Sequence, residues 1–196
     1  MMGRTLAVLA LAGGLTGCLG GGTAPPLYFT LSAAEKPVDA PLAARPELGL
    51  VLGQIDLPRY LDRAELVTRD GEHRLQVWNG VRWGGSLETD VERVVADDLS
   101  ALLGTSRIAV YPAEARFPVS YRVLIELLEF GSALGQPVVL RARWTLAAPD
   151  GRAVAVGATN LEQPTAAPTW EAYVAAHRAA LAALTHELAE RLAALP

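Results

Sequence analysis

Val138-Val139-Leu140-Arg141-Ala142-Arg143-Trp144-Thr145-Leu146-Ala147 alternates apolar and polar residues through its centre. Leu140, Ala142, Trp144 and Leu146 fall on one side and Arg141, Arg143 and Thr145 on the other, the period of two of a half-buried strand. Such a strand belongs in an antiparallel sheet with one face packed and one partly wet. Residues 121–130 and 153–160 read as its neighbours in sequence. Pro149-Asp150-Gly151 supplies the tight turn to the second of these. On the preceding strand, Glu126 and Arg122 are the cross-strand candidates for Arg141 and Arg143.

Working outward, the chain supplies helices to cover the packed face. Leu87, Val91, Val94, Val95, Leu99 and Leu102 recur at helical spacing and predict a helix over Leu87–Leu103. Ser86 is its N-cap and Gly104 its stop. A second helix spans residues 169–195, with Trp170, Val174, His177, Leu181, Leu184, Leu188, Leu192 and Leu195 on one face. Shorter strands are expected at 27–31, 48–57 and 107–110. Residues 58–63 form a turn, and Glu65–Arg69 and 74–78 form a hairpin about Asp70-Gly71. Asn79-Gly80 reads as a second tight reversal before 81–83, because such pairs supply the positive φ that hairpin turns require. Two helices on one face of a mostly antiparallel, mixed sheet make an α+β fold.

The amino terminus has a different character. Arg4 precedes an apolar run at 6–12, too short for the roughly 20 residues of a membrane-spanning helix. It reads as an export signal over residues 1–17. Leu15-Thr16-Gly17-Cys18 contains the only cysteine and resembles the lipobox of bacterial lipoproteins. That resemblance implies a diacylglyceryl group on the Cys18 thiol and, after cleavage, an N-acyl chain, with no other cofactor. Stable attachment needs more than one fatty chain, which this modification provides. Leu19 follows the cysteine, and by the sorting rule of that family the destination is the outer membrane, facing the periplasm. Residues 18–26, rich in Gly and Pro, form a tether, and residues 27–196 form one domain.

Of 17 basic and 21 acidic residues, only Arg4 lies in the signal, so the mature chain carries 16 − 21 = −5. The arginines are scattered and nothing suggests nucleic acid. Nor do the histidines suggest metal: His177 and His186 point to opposite sides of one helix, and His73 sits in a hairpin. His177 lies in the apolar stripe and reads as a core histidine. No nucleophile elbow or phosphate loop is present, so no catalytic residue is expected. Two features break the pattern of an ordinary core. Asp98 falls inside the apolar stripe of the first helix and must pair with an arginine within the fold or serve as an interface charge. Tyr60, Leu61, Trp78 and Trp83 place large apolar groups near loops. Trp83 reads as core, whereas Tyr60, Leu61, Trp78 and Asp98 are the candidate partner interface.

Tyr28-Phe29-Thr30-Leu31, then Leu57-Pro58-Arg59-Tyr60-Leu61-Asp62-Arg63, Glu65-Leu66-Val67-Thr68-Arg69 and Trp83 leading into the first helix resemble the ABC-type transport auxiliary lipoproteins, the PqiC-like family. The chain departs from that pattern at Gly84-Gly85-Ser86-Leu87, where the family often has an acidic residue, a proline and a leucine. The resemblance implies a non-catalytic docking or adaptor subunit at the outer membrane. Its implied partner is an MCE-domain protein that bridges the periplasm during lipid transport, and the chain itself acts alone or as a homo-oligomer. The alternatives are a carrier that binds lipid or a small hydrophobe by itself, and an envelope-structural protein. A carrier needs an apolar cavity of roughly 300 Å3 or more.

Overall fold

The computed structural model describes residues 24–31, 41–42 and 44–196. The lipobox residues Leu15, Thr16, Gly17 and Cys18 lie outside them, as do the expected signal and most of the tether. Eight strands and two long helices follow in the order β1 (Leu27–Phe29), β2 (Leu50–Asp56), a 3-10 turn (Arg59–Leu61), β3 (Glu65–Arg69), β4 (Leu75–Trp83), α1 (Leu87–Leu103), β5 (Ile108–Val110), β6 (Tyr121–Gly131), β7 (Val138–Ala147), β8 (Ala153–Gln163) and α2 (Trp170–Ala193). The α+β class is as the sequence predicts. The strands divide between two sheets, β1-β4-β3 and β5-β2-β6-β7-β8.

The larger sheet carries the core. β6, β7 and β8 pair antiparallel, while β2 joins β6 and β5 in parallel. Leu50, Leu52 and Ile55 of β2, Val123, Ile125, Leu127 and Phe130 of β6, and Leu140, Ala142, Trp144 and Leu146 of β7 are buried. Against them lie α1, over β2 and β5, and α2, over β7 and β8. Trp144 shows how closely this layer fits. Its indole covers Gly157, its cross-strand partner, where a Cβ would stand 2.2 Å from the ring. The indole N–H donates to Thr159 Oγ1 at 3.2 Å, and that hydroxyl donates to Glu187 of α2 at 2.7 Å, so strand and helix share one satisfied polar chain.

The helix ends are held as their sequences direct. Ser86 accepts from the Thr89 amide at 3.3 Å, and Gly104 stops α1 with φ +61°, a conformation that favours glycine. α2 runs about 36 Å and begins at Thr169, which accepts from the Ala172 amide. At its far end the Arg45 guanidinium donates to the carbonyls of Leu192 and Leu195 at 3.1 and 2.7 Å, placing a cation at the negative pole of the helix.

One expected turn is absent. Asn79-Gly80 does not reverse the chain, because β4 runs unbroken from Leu75 to Trp83. Leu66 pairs with Trp78, but the next residue along β3, Glu65, pairs with Arg82, so Asn79, Gly80 and Val81 bulge out of that ladder. The bulge occurs where β4 passes from pairing with β3 alone to pairing with β1, whose Leu27, Tyr28 and Phe29 align with Val81, Arg82 and Trp83. A bulge uses the same permissive residues as a turn, and pairing on two sides decided which formed.

Candidate functional site

The segment from Leu57 to Arg69 crosses the seam between the two sheets. Pro58 opens a 3-10 turn closed by the Leu61 amide on the Pro58 carbonyl at 2.8 Å. Leu61 is buried and pins that turn to the core. Tyr60 is half-buried. Its hydroxyl is pushed above the usual tyrosine range by desolvation, with Glu129 adding to the rise and Arg69 opposing it. The Arg69 amide donates to Ser132 at 3.0 Å. Arg69 Nε lies 2.9 Å from Glu129 Oε1, an ionic contact whose N–H points off the hydrogen-bond line. Glu129 also meets Arg141 Nε at 3.3 Å. A single carboxylate, placed by the irregularity between Leu127 and Glu129 in β6, thus joins β3 to β7. Arg143 pairs with Glu126 at 3.6 Å, as the strand alternation predicts. Arg141 pairs with Glu129, and Arg122 stands opposite Ala147.

Beside this seam a chain of rings leads from the surface into the core. Trp78, about one-third exposed, donates its indole N–H to Thr68 Oγ1 at 2.9 Å and meets Trp170 edge-on at 5.1 Å. Trp170 meets Tyr173 at 6.0 Å, and Tyr173 meets His177 at 4.4 Å. Phe130 and Trp83 complete the surroundings of His177, at 4.6 and 6.3 Å. Burial lowers the His177 imidazole to about 4, although hydrogen bonds to backbone at Tyr173 and Phe130 oppose the shift. Its Nδ1 lies 2.8 Å from the Tyr173 carbonyl, which it reaches as a donor. Burial also raises the Tyr173 hydroxyl to about 12, where it donates to the Ser132 carbonyl and accepts from the Ser132 amide. A neutral histidine and a protonated tyrosine, each engaged with backbone, make this a packing cluster. Trp83 is buried in it, as its sequence context predicts.

The structure does not gather the four candidate interface residues onto one surface. Leu61 is core, Tyr60 lines the seam, and Trp78 stands at the outer end of the ring chain. Asp98 lies apart, at the contact between the helices. Its Oδ1 receives Arg178 Nη2 at 2.5 Å and its Oδ2 receives the Thr185 hydroxyl at 3.2 Å. Asp98 is therefore paired with an arginine inside the fold, the first of its two expected roles. Between the 3-10 turn and the start of α1 lies an open cleft of about 370 Å3, whose walls include Asp56, Arg59, Asp62, Arg63 and Glu88. Those charges suit water or a polar partner. Among the described residues, no three His, Cys, Asp or Glu side chains are grouped to hold a metal, and no helix is long and apolar enough to cross a membrane.

Sequence reasoning missed Tyr173 and Glu129. Tyr173 sits four residues before His177, the spacing that stacks side chains on one helix face. Glu129 follows Leu127-Leu128, where the alternation of β6 breaks, and that break marks the irregularity.

The family described as ABC-type transport auxiliary lipoprotein component matches residues 29–189, from β1 into the last turns of α2. The chain belongs to this family. It is thereby a lipoprotein associated with ABC-type transport, as its Leu57 to Arg69 segment leads one to expect. A crystal structure of an uncharacterized protein resembles it with a TM-score of 0.70 at 16% identity, covering 86% of this chain and 99% of the other. Protein XCC0632 from Xanthomonas campestris resembles it with a TM-score of 0.65 at 19% identity, covering 85% and 93%. These likenesses establish that the auxiliary lipoprotein shares their fold. No curated protein matches the chain.

Proposed function

We propose that this auxiliary lipoprotein is a non-catalytic docking subunit, anchored through acylated Cys18 to the periplasmic face of the outer membrane. There it receives an MCE-domain protein that bridges the periplasm, so that lipid can pass between membranes. The observation that carries the reading is the family match, which runs from the end of β1 through all of α1 and into the last turns of α2. The packed interior supports docking over a stand-alone carrier. Trp144, Leu140, Phe130, Leu181, Leu184 and Leu188 fill the space between sheet and helices, each at most 5% exposed. A carrier would need that space for its cargo. The uncharged ring pairs and backbone-bound His177 and Tyr173 likewise serve packing.

The reading is tested by weighing non-covalent lipid on the full-length Cys18→Ala chain, purified without detergent and extracted for mass spectrometry. A docking subunit carries far less than one lipid per chain. One tightly held lipid per chain would overturn this reading in favour of the carrier.

A further inference from the structure

Among the described residues, the three-stranded sheet has an edge with no strand beyond it. β1 is its outer strand, and its first two residues, Leu27 and Tyr28, are 51% and 61% exposed. Tyr28 aligns with Arg82 of β4, and Arg82 aligns with Glu65 of β3. Aligned residues of neighbouring strands share a face, so Tyr28, Arg82 and Glu65 form one row across the sheet. Glu65 meets Arg82 at 3.4 Å and, beyond the end of the strand, Arg63 at 3.4 Å, so this ion cluster of two guanidinium groups about one carboxylate carries one positive charge in excess. Leu27 lies on the opposite face beside buried Val81, at the margin of the core. The edge therefore offers a leucine and an exposed tyrosine, with the Arg82 guanidinium one strand spacing away.

We propose that this edge rests on the phospholipid surface that holds the lipid anchor. The inference depends on the Cys18 anchor proposed above. Nine residue steps separate Cys18 from Leu27, so the connection is at most about 32 Å long. A domain of this length measures about 40 Å across. Leu27 and Tyr28 are therefore held within that reach of the surface, a constraint that does not act directly on α2 or on the open face of the larger sheet, with Val156. Tyrosine is enriched at membrane interfaces because its ring tolerates the headgroup region while its hydroxyl stays hydrated. Arg82 carries its charge to the same level, and basic side chains are drawn to anionic lipid. Each contact is weak alone. Tethering makes them intramolecular, so a weak preference suffices to orient the domain.

The only native cysteine is the anchor, so a cysteine placed elsewhere in the acylated protein can carry a nitroxide. The probe surface is vesicles of phosphatidylcholine and phosphatidylglycerol. Pro26→Cys, an exposed position directly before Leu27 and Tyr28, is compared with Val156→Cys, at a position 70% exposed on the open sheet face. Flotation with the vesicles is checked first. The label at 26 is expected to show a several-fold higher ratio of collisions with oxygen to collisions with a water-soluble nickel complex than the label at 156. Equal, water-like ratios in protein that floats would overturn the orientation and leave the anchor intact. Shielding of position 26 from both agents would mean that a second copy of the chain covers the edge, and would also overturn it. Failure of the acylated protein to float would remove the anchor and the inference together.

Discussion

Asp98 and Arg178 meet at the contact between α1 and α2 with side chains only 14% and 12% exposed. Truncating Asp98 removes the carboxylate that faces the Arg178 guanidinium where water reaches poorly. Asp98→Ala is expected to destabilise the protein by about 3 kcal/mol. Replacing both residues by methionine should cost much less, because a filled apolar contact needs no counter-charge. Urea denaturation of the two variants measures the difference. His177 makes a second residue-scale prediction. An unfolded histidine titrates near 6.5, whereas burial holds His177 near 4. Above pH 6.5 both states are neutral and the group adds no pH dependence. Between pH 6.5 and 4 only the unfolded chain takes up the proton, so stability falls with pH, by up to about 3 kcal/mol. His177→Gln should flatten that part of the profile in urea midpoints measured from pH 7 to pH 4. The sequence placed both residues correctly in their helical stripes. It did not identify Arg178 as the partner, because crossing geometry between two helices is not written in the spacing of either one.

Among the elements, the amphipathic ones were legible. The observed α1 bounds agree with its stripe, its serine cap and its glycine stop, each of which acts within the helix itself. β7 was equally plain, since its alternation reports a sheet with one packed face. β4 was misread because Asn79-Gly80 permits either a reversal or a bulge, and the choice was made by β1, a strand more than fifty residues earlier. The division of the strands into two sheets was hidden for the same reason. Two glycines test these pairings. Gly157→Ala would place a Cβ inside the Trp144 ring and is expected to cost about 2 kcal/mol in a denaturation experiment. Gly80→Ala is the control: nothing lies within 4 Å of the added carbon, and stability should be nearly unchanged. A large loss at Gly80 together with none at Gly157 would contradict the assigned register.

For the whole molecule, the division of labour follows from packing. The buried side chains of the larger sheet and the two helices make a filled layer, and the smaller sheet sits at the seam where Glu129 ties β3 to β7. The segment most diagnostic of the family, Leu57 to Arg69, builds that seam, so much of its identity serves architecture. Of the expected interface residues only Trp78 reaches the surface appreciably, on a ring chain whose inner members are core. A sequence shows which residues are large and apolar near turns. It does not show which of them the second sheet will cover. Trp78→Ala should therefore keep most of the fold while removing the outermost ring, and any loss of partner capture at unchanged urea midpoint would assign Trp78 to the interface.

The central claim is that this lipoprotein docks a protein, and capture from chemically crosslinked envelope tests it most directly. The acylated chain is recovered alongside a Cys18→Ala control, and the proteins and lipids held by each are identified. The account predicts an MCE-domain protein on the acylated chain and its loss from the control. Recovery of lipid with no protein partner would contradict it.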